Sequence, residues 1–142
     1  MADPGVDAVV VDVPIADGLT AEALVVDAAN VIGSVPDGWW RDRPGAAERL
    51  HAHLTSAALP YERVVLVLEG QARRGVAAGD GSGITIVHAP GSGDDEIVEQ
   101  CRALLKDGRQ VALATADRGL IARVLDVDPG VQVVGPRSVR GT

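Results

Sequence analysis

The chain has 142 residues, 46% of them hydrophobic, which is enough for one domain with a proper core, too few for two, and too apolar for a disordered protein. Aromatic residues make up only 2%, so Val, Leu, Ile and Ala must fill that core. The formal net charge of −7, with pI near 4.8, argues against broad electrostatic binding to nucleic acid but leaves room for a nuclease whose clustered acids hold cations.

Cys101 is the single cysteine, so no internal disulfide forms, and the content fits a reducing compartment. The opening Met1-Ala2-Asp3-Pro4-Gly5 lacks the basic-then-apolar pattern of a secretory signal. No apolar run approaches the ~20 residues that span a bilayer. A cytoplasmic protein with no membrane contact is expected.

Residues 1–7 are expected to be flexible. Ala8 to Val13 is a strand candidate stopped by Pro14. It reads as an edge addition to a sheet or as an oligomer contact, as in a homodimer. Asp12 follows an apolar run too, but on an edge strand it would lie away from any central crevice. The core strand runs from about Ala23 to Asp27: an apolar run ends in a carboxylate, with Asn30 three residues later and the turn-forming Gly33 beyond. Such a run fits a strand buried on both faces. The loop from Ser34 to Pro44 carries Trp39, Trp40, Arg41 and Arg43. Asp42 and Pro44 can start a helix whose apolar face is Ala46, Ala47, Leu50, Leu54 and Ala57. His51 and His53 lie two apart, point to different sides of that helix, and are read as surface residues.

A strand from Arg63 to Leu68 ends at Glu69. The glycine-rich stretch from Gly70 to Gly83 reads as a surface loop, with a substrate clamp built on Arg73 and Arg74 as the alternative. It has neither the ending of a P-loop nor the strand-to-helix order of a dinucleotide fingerprint. A strand from Ile84 to Val87 leads to Ser92, Asp94, Asp95 and Glu96 at the start of a helix, where capping and dipole effects favour them. That helix carries Ile97, Cys101, Leu104 and Leu105 on one face, so Cys101 is expected to be an inert core thiol. The strand from Gln110 to Ala114 leads through Thr115 and Ala116 to Asp117, which opens a helix carrying Leu120, Ile121, Val124 and Leu125. Val131 to Val134 is a last strand, and residues 136–142 are expected to be a flexible basic tail. Strands alternate with helices throughout, which implies an α/β fold with a mostly parallel central sheet and helices on both faces.

In such a fold the carboxyl ends of the strands form the ligand crevice. Asp27, Glu69, Asp94 and Asp117 each follow an apolar strand directly or by one short loop. Acids at helix starts are ordinary caps, so the coincidence of the set, rather than any one residue, carries the reading. Carboxylates that converge repel, and a hard divalent cation removes the repulsion. Mg²⁺ or Mn²⁺ suits oxygen donors and keeps waters for chemistry on phosphate. No histidine or cysteine is expected at a strand end, which disfavours zinc.

Val26-Asp27-Ala28-Ala29-Asn30-Val31-Ile32 resembles the opening motif of NYN domains, the PIN-like ribonucleases. Ser92-Gly93-Asp94-Asp95-Glu96-Ile97-Val98 is similar to their central acidic motif, and Ala114-Thr115-Ala116-Asp117-Arg118 to their late Thr/Ser-x-Asp motif. The resemblance covers about residues 23 to 135. It implies a three-layer PIN-like fold, Mg²⁺ or Mn²⁺ dependence and cleavage of RNA phosphodiester bonds. Asp27, Asp94 and Asp117 carry over as metal ligands and Asn30 as a polar positioner of metal water or phosphate. Asp95 is a second ligand or an exposed first-turn acid. Glu69 stands where such families often have Asp, so it is placed at the rim of the metal site. Thr115, Arg41 and Arg43 are expected on the substrate side. The alternative is a non-catalytic PIN-like module that binds RNA or a nucleotide with a degenerate metal site. A haloacid dehalogenase-type phosphatase needs Asp-x-Asp where this chain has Asp27-Ala28-Ala29, and a metal-ion-dependent adhesion module needs serines where Ala29 and Val31 stand.

Overall fold

The computed structural model describes residues 10–11 and 21–140. Its seven strands are β1 (Val10–Val11), β2 (Ala23–Asp27), β3 (Arg63–Leu68), β4 (Gly79–Gly81), β5 (Ile84–His88), β6 (Val111–Ala114) and β7 (Gln132–Val134). They form one sheet in the order β1-β7-β6-β2-β3-β5-β4. All neighbours are parallel except β4, which runs antiparallel to β5. The helices are α1 (Ala28–Gly33), α2 (Arg43–Ala57), α3 (Gly93–Lys106), α4 (Arg118–Val127) and α5 (Pro136–Arg140).

The central strands are apolar without alternation because both their faces are covered. On β2, Leu24 and Val26 join one core cluster, while Ala23 and Val25 join the other. On β3, Val64, Leu66 and Leu68 face the first cluster, and Val65 and Val67 the second. Residues of α1, α2 and α5 pack into the first cluster, and residues of α3 and α4 into the second. The result is a three-layer PIN-like α/β fold.

Helix ends follow the expected chemistry. Asp42 caps α2 by accepting from the Gly45 N–H at 2.9 Å, and Pro44 lies in its first turn. Ser92 caps α3, whose first turn holds Asp94, Asp95 and Glu96. Gly108, at φ +82°, follows its last turn. Burial in the second cluster pushes the Cys101 thiol up to about 12.

Three local expectations are corrected, and one element was not anticipated: Ala28 to Gly33 form α1, which the Asp27 side chain caps through the Asn30 N–H. Part of the glycine-rich loop, Gly79 to Gly81, pairs with β5 as β4. Residues 136–140 of the expected flexible tail form α5, which buries Val139 against the first cluster. His88 does stand at a strand end, but its ring Nε2 lies 2.7 Å from the Val76 carbonyl oxygen, in contact with the neighbouring loop. Val10 and Val11 pair with Val133 and Val134, so the early strand is an edge addition to the sheet. Asp12 and residues 1–7 lie outside the described residues.

Candidate active site

The chain runs outward from β2 to β3 and β5, then returns over the sheet to place β6 on the other side of β2. Crevices open at such reversals of strand order, outside the carboxyl ends of the strands. Here the two ends that meet are Asp27 of β2 and Thr115 just after β6.

Asp27 is 5% exposed, and Thr115 is fully buried. The Thr115 hydroxyl donates to Asp27 Oδ2 at 2.8 Å and accepts from the Asp117 N–H at 3.1 Å. Asp27 Oδ1 accepts from the Asn30 N–H at 3.3 Å. The Asn30 side-chain oxygen in turn accepts from the Ala116 N–H at 2.8 Å. One network thus ties the end of β2 and the start of α1 to the loop between β6 and α4. Asp117 Oδ1 accepts from the Leu120 N–H at 3.1 Å and caps α4.

Burial pushes the Asp27 carboxyl up from 3.8 to about 6, against the lowering pull of the Thr115 and Asn30 hydrogen bonds. The nearby charges of Asp94 and Asp117 push it in the same direction as burial. Asp94 is also raised, first by desolvation, then by Asp117 and Glu69, while Arg123 opposes them. Asp27, Asp94, Asp117 and Glu69 therefore share one negative field.

Sharing a field is not sharing a ligand sphere. Among the described residues, no three His, Cys, Asp or Glu side chains are grouped so that they could hold a metal ion. The reason is local: the carboxylates answer helix N–H groups and a cation rather than one another. Asp27 caps α1, Asp117 caps α4, and Glu69 Oε1 accepts from the Gly93 N–H at 2.8 Å at the start of α3. Asp95 turns away to Arg123 on α4, at 2.9 Å, and is an exposed first-turn acid. The donor chemistry, all carboxylate oxygen with mutual repulsion, suits a hard cation. Asp94 and Asp117 are accessible to solvent, so side-chain rotation is the movement open to them, whereas Asp27 is held in place.

Of the two arginines, Arg43 lines a cleft together with Ala28, Ala29 and Glu69, and its guanidinium lies 5.5 Å from the Trp39 ring centroid. Arg41 lies over the exposed Trp40 ring, 5.8 Å from its centroid. Sequence reasoning did not connect Trp39 with Glu69, nor Asp95 with Arg123. No local signal links residues so far apart in the chain.

The fold and the site geometry define a PIN-like α/β domain with an acidic crevice at its strand switch point. No family model matches the chain, and no curated protein does. Among solved structures it is similar to Rae1 (YacP) from Bacillus subtilis. That match has a TM-score of 0.56 and 18% sequence identity, and covers 83% of this chain and 72% of the other. At that identity the likeness concerns the fold.

Proposed function

We propose that the chain is a ribonuclease that cleaves RNA phosphodiester bonds with Mg²⁺ or Mn²⁺ held by Asp27, Asp94 and Asp117. The observation that carries this reading is the buried Asp27, raised to about 6 while flanked by the charges of Asp94 and Asp117 at the switch point of a parallel sheet. A protein that needed only helix caps there gains nothing from burying a carboxylate among like charges. The likeness of fold to Rae1 and the three NYN-like motifs support the same reading.

A bound divalent cation supplies a water of lowered pKa and neutralises charge on the phosphate. The chain supplies the rest. Thr115 and the Asn30 N–H hold the Asp27 carboxylate in one orientation. Asn30 fixes the loop that leads to Asp117 by holding the Ala116 N–H. Asp94 stands in the solvent-facing first turn of α3, and Glu69 remains at the rim as the partner of Gly93. Arg43 presents a fork of donors to phosphate from the neighbouring cleft wall.

The test uses purified protein and labelled single-stranded RNA with added Mn²⁺. Cleavage is expected to require the ion, stop with chelator, and fall roughly a hundredfold in Asp27→Asn, because the variant removes one formal charge from the ion's ligands. Equal cleavage by wild type and variant would reject the proposal. Mn²⁺ binding without cleavage of any RNA would favour the non-catalytic module, a reading consistent with Asp95 and Glu69 being occupied by Arg123 and Gly93.

A further inference from the structure

Beside the carboxylates lies a cleft of about 430 Å³ whose use the reaction does not explain. Its walls include Ala28, Ile32, Trp39, Arg43, Glu69 and Ala72. Ala28 directly follows Asp27, and Glu69 binds the Gly93 N–H next to Asp94, so the cleft adjoins the acidic crevice through two elements.

Trp39 is its distinctive part. The ring is partly buried against the first core cluster. It passes over Gly33, where an added Cβ would lie 3.9 Å from Cζ2. Trp40 meets it edge-on, with centroids 5.8 Å apart at 89°, and Arg43 lies over it. An aromatic ring fixed by these contacts while lining an open cleft is a rigid platform. The chain has two Trp, one Tyr and no Phe, and both tryptophans lie together here, Trp39 on the cleft wall and Trp40 edge-on to it.

Charge points the same way. A protein with net charge −7 lacks the broad phosphate attraction on which most RNA binding depends. Affinity must then come from contacts that do not depend on charge, of which base stacking is the main one. The cleft volume lies within the roughly 300–1,000 Å³ of small-molecule sites, its walls are mostly apolar, and Arg43 and Glu69 stand at hand for a phosphate and for base-edge N–H groups.

We propose that this cleft takes one unpaired nucleobase of the RNA strand, stacked on Trp39, and so places the adjoining phosphate at the carboxylates. The subsite rests on the ribonuclease reading for its role in cleavage, but its binding is measurable without any cleavage.

The first experiment is done in chelator, with Trp40→Phe as background so that emission reports Trp39. 5′-AMP is expected to quench the emission saturably, and ribose 5-phosphate is not. Ala29→Phe, placed on the exposed rim of the cleft away from the core, is expected to abolish the quenching. The second experiment measures cleavage of single-stranded RNA by Trp39→Ala. KM is expected to rise roughly 5- to 150-fold with little change in kcat, and Trp39→Phe to recover most of the loss. Absence of AMP quenching, or quenching that survives Ala29→Phe, overturns the subsite. So does an unchanged KM in Trp39→Ala, even while wild type cleaves. If AMP quenches and Ala29→Phe blocks it, but wild type cleaves no RNA, the subsite stands and the ribonuclease reading falls.

Discussion

Asp27 shows how one side chain can serve structure and oppose stability together. It caps α1 and accepts the Thr115 hydroxyl, yet its charged form is buried. Its carboxyl is raised from 3.8 to about 6, so the stability it contributes is full below about 3.8 and is lost as pH rises through about 6. That interval corresponds to on the order of 3 kcal/mol. In chelator, Asp27→Asn is therefore expected to be more stable than wild type at pH 8 by roughly 1–3 kcal/mol, less any mismatch in its hydrogen bonds. The difference should vanish by pH 4, as followed by urea denaturation. An Asp27→Asn protein that is less stable than wild type at pH 8 would show that the cap outweighs the buried charge. Thr115→Val removes the donor to Asp27 and the acceptor of the Asp117 N–H, and should cost about 1–3 kcal/mol. Thr115→Ser keeps the hydroxyl and should restore most of that loss.

At the scale of elements, the cleft wall depends on a close approach that only glycine allows. Gly75 ends the short 3-10 turn Gly70–Arg74, and an added Cβ there would lie 2.0 Å from the Pro44 carbonyl oxygen at the start of α2. The obstacle is backbone, so no side-chain rotation relieves it. Gly75→Ala is expected to destabilise by about 1–3 kcal/mol, as overpacking does, and to push the turn away from α2. Because Arg43 and Ala72 come from these two elements, the variant should also weaken AMP quenching of Trp39. Normal stability in Gly75→Ala would mean that the turn moves without cost. On the opposite face, Cys101 of α3 is fully buried, with its thiol pushed up to about 12. It should resist thiol reagents in native protein and react only at the rate of unfolding.

For the molecule as a whole, the acidic balance makes divalent cations a source of stability. A ligand that binds only the folded state at a hundred times its Kd adds about 2.7 kcal/mol. For a chain of this size that corresponds to a rise in Tm of roughly 5–10 °C. Mn²⁺ is expected to produce such a rise in wild type and little in Asp27→Asn, with KCl at equal ionic strength as control. Equal shifts in both proteins would locate the ion elsewhere on the acidic surface. No helix among the described residues is long and apolar enough to cross a membrane.

The elements were legible in the sequence because their causes are local. The strands Ala23–Asp27 and Arg63–Leu68 are built on the apolar runs 23–26 and 64–68, and Asp42, Ser92 and Asp117 announce the helices they cap. The candidate acids could also be picked out in the sequence, since each follows an apolar run directly or by one short loop. Their arrangement could not. Asp27 and Thr115 are 88 residues apart, and they meet because β6 inserts beside β2 rather than beside β5. Strand order is decided by how two helical layers cover the sheet, a balance over the whole core that no short window of residues contains. The same holds for Glu69, whose reach to the Gly93 N–H depends on where α3 begins in space, and for Trp39, which meets Glu69 only across a cleft. Residue types and local periods thus determined the parts and their chemistry, while packing between distant segments alone decided which carboxylates answer helix ends and which remain turned to solvent.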